Sequence, residues 1–171
     1  MMGFLFPRLT PAKQQSAKLF EALIGAARQP HWFVEGGIPD TIDGRFAVLS
    51  TLCALASVKL EADGAGKTAV ALAERFVEAM DAEHRQLGIG EPTIGKKVRK
   101  MATALGRRVE LWRGAIAAGS GGAADAWTEA ARTSLFGDTE PEWAALDHDR
   151  IALQSLWERF AVADLDKGEV W

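Results

Sequence analysis

Hydrophobic residues along this chain recur at the spacing of an α-helix, and the apolar-polar alternation typical of a half-buried strand is missing. The longest regular pattern is a single apolar stripe: Ile94, Val98, Met101, Leu105, Val109, Trp112 and Ile116. Two shorter stripes precede it, over residues 19–27 and 72–87. The sequence therefore predicts an all-α fold, a single-domain bundle of six or seven helices.

Caps and helix-breaking residues predict where these helices begin and end. The first helix is expected to run from Pro11 to Gln29, with Thr10 as its cap and Pro30 as its stop. A second is apolar on all sides, which is typical of a central helix. A capping box at Thr139-x-x-Glu142 marks another start, and a Gly/Ala/Ser linker covers 117–124. The remaining predicted helices are 43–60, 68–87, one capped by Thr93, 123–135, one from Thr139, and 149–163.

With 171 residues, the chain is long enough for one domain with a substantial core. We predict a flexible N-terminus over residues 1–10 and a helical core over 11–118. Residues 119–171 are predicted to form a C-terminal helical extension packed on that core.

Charge is unevenly distributed along the chain. The net charge is −3, yet residues 94–113 contain seven Lys or Arg and a single Glu. One face of the helix predicted here presents Lys96, Arg99, Lys100 and Arg107. Three interpretations stay open for this basic surface: a solvated helix face, a contact with anionic lipid, or a contact with ribosomal RNA phosphates.

Candidate chemistry is sparse. The one cysteine, Cys53, excludes an internal disulfide, and the three histidines have no metal-ligand spacing. Residues 64–68 imitate the end of a phosphate-binding loop, but Glu61 stands where that motif needs glycine. We therefore predict no catalytic residues, no metal, no cofactor and no enzymatic activity. The longest apolar run, residues 46–58, falls short of the ~20 residues of a membrane span, so a soluble, cytoplasmic protein is expected.

Two glycine-rich loops stand out, residues 36–46 and 87–97. In the first loop Pro39 stiffens the backbone, and Asp40, Thr41 or Asp43 can accept hydrogen bonds from the amides of the next helix. Gly44 indicates close backbone packing, and Arg45 can pair with a carboxylate. Before the second loop, Asp81 and Arg85 are spaced to pair on a helix, and Gly88 ends that helix. An elaborate helix cap is the simplest role for the first loop.

Together these segments resemble the ubiquinol–cytochrome c chaperone family. The resemblance is carried by residues 19–23, 27–30, 37–46, 76–81, 85–90, 95–101 and 106–107. It implies a chaperone that assists assembly of respiratory complex III by binding newly made cytochrome b, near the ribosome exit and with a partner assembly factor. No targeting segment precedes the domain, so a bacterial member is expected, with peripheral contact to the inner membrane as an option.

The predicted client-binding or partner-binding surface joins the two segments: Pro39, Asp40, Asp43, Gly44, Arg45, Asp81, Arg85, Gly88 and Gly90. Such a surface would bind membrane-spanning segments of cytochrome b by helix-in-groove recognition. Two alternatives remain. One is a peripheral adaptor that binds anionic membranes or the ribosome through the basic surface. The other is an enzyme of unrecognised type, which would need a deep polar pocket gathering Asp81, His84 or Asp43.

Overall fold

The computed structural model describes residues 11–88, 91–118 and 123–171, and these ranges contain six α-helices and no strand. The helices are α1 (Pro11–Ala27), α2 (Ile42–Ala62), α3 (Gly66–Gln86), α4 (Glu91–Ala117), α5 (Ala123–Phe136) and α6 (Trp143–Val162). Short 3₁₀ turns lie at Pro30–Trp32 and Leu165–Lys167. The prediction of an all-α, single-domain bundle is confirmed.

Helix α2 is the centre of the bundle. Thirteen of its 21 residues are buried, and it packs against α1, α3, α4, α5 and α6. Its buried hydroxyls are satisfied locally: Thr51 Oγ1 donates to the carbonyl of Ala47 at 2.7 Å, and Ser57 Oγ to that of Cys53 at 2.9 Å. A helix that is apolar all round can therefore lie in the interior without unpaired polar groups, as its pattern predicted.

A small polar junction ties α5 to the centre. Ser134 Oγ lies 2.5 Å from Thr51 Oγ1 of α2 and accepts a hydrogen bond from Trp112 Nε1 of α4 at 3.2 Å. The carbonyl of Ser134 accepts two more, from the guanidinium of Arg108 at 3.2 and 2.8 Å. Helices distant in sequence are thus fixed to one another at one point.

The C-terminal third differs from the prediction of two helices starting at Thr139 and near residue 149. Thr139 lies in a turn after Gly137, and its amide donates to the carbonyl of Phe136. Because the residue before a proline is disfavoured in the α conformation, Pro141 delays the helix until Trp143. One continuous helix, α6, then runs to Val162.

Three smaller expectations were also wrong. Helix α1 ends at Ala27, two residues before Gln29, and Thr93 lies inside α4 and is not its cap. Leu87, assigned to the buried stripe of α3, follows the end of that helix and is 54% exposed. The N-terminus, Thr10, Gly90 and the stretch 119–122 lie outside the described residues.

No helix within the described ranges combines the length and the apolar character that crossing a membrane requires.

Candidate functional site

The first loop folds tightly back over the start of α2. Thr41, one of the three candidate caps, fills that role: its Oγ1 accepts a hydrogen bond from the amide of Gly44 at 3.1 Å. Gly44 makes the close approach that its position predicted, because a Cβ there would lie 1.9 Å from the carbonyl oxygen of Pro39. Asp43 lies exposed in the first helical turn, where its charge complements the helix dipole.

The loop presents an ion pair at the surface. Arg45 Nε donates to Asp40 Oδ1 at 2.7 Å, and both side chains are more than half exposed. This hydrogen bond raises the pKa of Arg45 and lowers the pKa of Asp40. Glu83 near the end of α3 also raises the pKa of Arg45 through its charge. The C-terminal end of α3 therefore faces the first loop.

A groove of about 780 Å³ opens between these two elements. We call it the Arg45 groove. Its walls are the C-terminal part of α1, the segment that follows α1, the start of α2 and the end of α3. The floor is formed by Phe20, Ile24, Phe46, Leu49 and Met80, and the polar rim by Arg28, Asp40, Arg45, Glu83 and Gln86.

Two exposed apolar side chains stand among the polar residues of the rim. Val34 is 74% exposed and Ile42 is 47% exposed, and both line the opening. An apolar floor with a charged rim suits an apolar helix or another aliphatic partner, which can leave its polar ends in water.

The structure brings some of the predicted site residues together and leaves others apart. Asp40 and Arg45 line the groove, whereas Pro39 and Gly44 shape the turn behind them. Arg85 Nε donates to Asp81 Oδ2 at 3.0 Å, as their spacing predicted, on a part of α3 that does not line the groove. Gly88, with a φ of +75°, follows α3, and Gly90 lies outside the described residues.

The residues required by the enzyme alternative are not gathered in a polar pocket. His84 is buried, and its Nδ1–H donates to the carbonyl of Met80 at 2.7 Å. Asp81 pairs with Arg85, and Asp43 points to solvent from α2. Among the described residues, no three His, Cys, Asp or Glu side chains are grouped so that they could hold a metal ion.

Sequence patterns alone missed part of the groove. Phe33 and Val34 line it from the segment between α1 and α2, and Ala79 and Glu83 line it from α3. An apolar pair directly after the Pro30 turn was the available signal, since such residues in a connection often serve a binding surface.

The basic run of α4 divides into two groups. Lys96, Arg99, Lys100 and Arg107 are all exposed and lie away from the groove. Arg108 instead turns inward: its guanidinium lies 5.4 Å from the ring centre of Phe46, beneath the groove floor, and burial lowers its pKa. It supports the floor while its neighbour Arg107 remains on the surface.

Comparisons with known proteins agree with this architecture. The family model described as Ubiquinol-cytochrome C chaperone matches residues 34–159, a range that includes the first loop, α3, α4, α5 and most of α6. The crystal structure of the Cbp3 homolog from Brucella abortus is similar, with 26% sequence identity and a TM-score of 0.76. That similarity covers 97% of this chain and 93% of the other. A comparison with curated protein sequences found no match. The chain therefore belongs to the ubiquinol-cytochrome c chaperone family.

Proposed function

We propose that this protein is a non-enzymatic assembly chaperone for respiratory complex III, and that its Arg45 groove binds a membrane-spanning segment of cytochrome b during assembly. The observation that carries the proposal is the groove itself. It lies beside the first loop and the end of α3, and both of these lie within the range that matches the family.

The size of the groove suggests how such a segment would bind. A volume of about 780 Å³ accommodates a few side chains rather than a whole membrane-spanning helix of ~20 residues. Each aliphatic side chain that leaves water contributes about 1.5–3 kcal/mol before the costs of association are subtracted. Recognition of three or four side chains on one helix face gives a complex that is specific and still releases its client.

The proposal is tested first in cells. Deletion of the gene is expected to lower assembled complex III and its b-type haem, and normal levels of both would end this proposal. Crosslinking and pull-down from native membranes should recover cytochrome b.

A point variant connects the effect to the groove. Ile42→Asp replaces an exposed apolar side chain at the opening of the groove with a charged one. Ile42 is the first residue of α2, where an acidic residue suits the helix dipole, so the fold is expected to be retained. We expect this variant to fail to restore complex III in the deletion strain. Val70→Asp is the matched control, because Val70 is 61% exposed near the start of α3 and does not line the groove. If the two variants restore complex III to the same extent, the groove is not needed for the function.

A second candidate function rests on the basic surface of α4. Lys96, Arg99, Lys100 and Arg107 are exposed, and none forms an ion pair with another described side chain. Such a cluster can attract an anionic membrane, weakly and in a salt-dependent way. Reversal of all four charges to Glu should abolish binding to anionic vesicles, with neutral vesicles as the control. Unchanged binding would make this face only a solvated one, and ribosomal proteins in the pull-down would indicate the ribosome as the partner.

A further inference from the structure

One wall of the Arg45 groove is the segment formed by residues 30–38, which we call the wall segment. Pro30, Phe33 and Val34 line the groove from this segment. The segment is not part of a long helix, and its own amides close it into turns: Gly36 N donates to the carbonyl of His31 and Ile38 N to that of Trp32. Its position therefore depends on what lies behind it.

Behind the wall segment lies α6. Nδ1 of His31 is 3.0 Å from Nε2 of His148, a hydrogen bond between residues 117 positions apart. A Cβ placed on Gly37 would lie 3.3 Å from the Cβ of Ala145, and one placed on Gly36 only 2.1 Å from Asp149 Oδ1. Three positions of the wall segment, His31, Gly36 and Gly37, thus lie against one turn of α6.

Asp149 is an unusual group to find at this contact. It is 0% exposed, and neither of its carboxyl oxygens has a hydrogen-bond partner. The carbonyl oxygen of Trp32 lies 2.5 Å from the same Cβ position on Gly36, so the Asp149 carboxyl lies directly against the backbone of the wall segment. An ionised carboxylate at this place would be a buried charge without a partner, which is costly, whereas a protonated carboxyl is neutral and is tolerated there.

Burial raises the pKa of Asp149 to about 8. At neutral pH the acid is therefore mainly protonated in the folded protein, which is the form that suits a buried carboxyl without a hydrogen-bond partner.

We propose that loss of the proton from Asp149 loosens the wall segment from α6, so that the groove binds its client tightly only while Asp149 is protonated. The client part of this inference rests on the proposed function, whereas the movement of the wall segment does not. Asp149 and His148 are positioning residues in this scheme, since they act on the client through Phe33 and Val34.

Other titratable and charged groups lie at the same junction. On the wall segment, burial and the charge of His148 lower the pKa of His31, while Glu35 opposes that shift. On α6, His148 accompanies Asp149, and Asp147 is paired with Arg150 at 2.5 Å. The hydrogen bond between the histidines needs one unprotonated nitrogen as acceptor, so a separate change is expected in acid. Because the pKa of His31 is lowered, measurements between pH 6.5 and 9 keep His31 neutral.

The first experiment follows the wall segment directly. Val34→Cys, labelled with an environment-sensitive fluorophore, places a reporter at an exposed position, and Cys53 is fully buried and will not react. We expect the emission to shift between pH 6.5 and 9 with a midpoint near 8. The shift should vanish when Asp149→Asn is added, because the amide keeps the shape of the protonated acid and does not ionise in this pH range. Asp147→Asn is the matched control on the surface of α6 and should retain the shift.

The second experiment measures binding of fluorescent peptides, one for each membrane-spanning segment of cytochrome b, in mild detergent. Since a group with a pKa near 8 is about one-tenth protonated at pH 9, affinity should fall by up to about tenfold over this range in the wild type and stay constant in Asp149→Asn. A wild-type reporter that does not respond to pH, or the same response in Asp149→Asn, overturns the inference. So does tight binding with a flat pH profile. If no peptide binds at any pH, the proposed function fails, and the reporter still decides the behaviour of the wall segment.

Discussion

The close packing of Gly44 against the Pro39 carbonyl gives a prediction about stability. Its direction can be tested against a second glycine in the same protein. Replacing Gly44 with Ala would place a Cβ 1.9 Å from the carbonyl oxygen of Pro39 and 3.0 Å from its carbonyl carbon. Neither atom can rotate away, since both belong to the backbone. The turn formed by residues 38–41 must move, although Ile38 is buried and only 1% exposed.

The expected magnitude combines opposing effects. Alanine is favoured over glycine in a helix by up to about 1 kcal/mol. Overpacking of this kind costs about 1–3 kcal/mol, and displacement of the Thr41 cap costs about 1 kcal/mol more. We therefore expect Gly44→Ala to lower the free energy of unfolding by about 1–3 kcal/mol. Gly106→Ala in α4 is the control: nothing lies within 4 Å of its Cβ position, so the same change should stabilise by about 0.5–1 kcal/mol.

Urea unfolding followed by circular dichroism measures both variants under identical conditions. The two midpoints should move in opposite directions while the slopes remain close to that of the wild type. If Gly44→Ala is as stable as the wild type, the close packing of the first loop on α2 and the argument built on it are wrong. A parallel shift of both variants would mean that helix propensity alone governs these positions.

Three further predictions concern the buried carboxyl of Asp149, the Ser134 junction and the exposed ion pair of Arg45. Because the pKa of Asp149 is raised, the folded state binds more protons than the unfolded state, and stability should fall as pH rises from about 4 to 8. Asp149→Asn should remove this decline and should be more stable than the wild type by a few kcal/mol at pH 9. Thermal unfolding at a series of pH values measures both effects. Ser134→Ala leaves the indole N–H of Trp112 unpaired and should lower the free energy of unfolding, measured in urea, by about 1–3 kcal/mol. An unchanged unfolding midpoint would contradict this expectation. Arg45→Met removes an exposed ion pair, so the unfolding midpoint should not change even where complementation of the deletion strain does.

Local patterns were enough to predict most of the helices. Apolar spacing of 3.6 residues reports which side of a helix is buried, and the missing polar face of α2 identified the central helix. The start predicted at Thr139 was wrong because Pro141, two positions later, is incompatible with a helix that begins there. A proline there disfavours the α conformation of the residue that precedes it, and a side-chain cap cannot compensate for this.

The candidate site was accessible from sequence only in part. Gly44 and Arg45 were signalled by their own residue types and neighbours. Phe20 and Met80 read simply as core positions, and they are indeed buried, yet they also form the floor of a groove that exists only after α1, α2 and α3 have packed. The contacts of His31 with His148 and of Gly36 with Asp149 join parts of the chain more than a hundred residues apart, and no local pattern reports them.

The internal position of α2 has a consequence for how this protein is made. The helix is apolar on every side and is translated before α3, α4, α5 and α6, which cover it. Until the C-terminal half has left the ribosome, α2 is itself a hydrophobic segment exposed to water and at risk of aggregation. A chain shortened before α5 is therefore expected to be degraded or to precipitate in the cell. During its own synthesis this protein thus exposes an apolar helix to water, as does the membrane-spanning segment that we propose it binds.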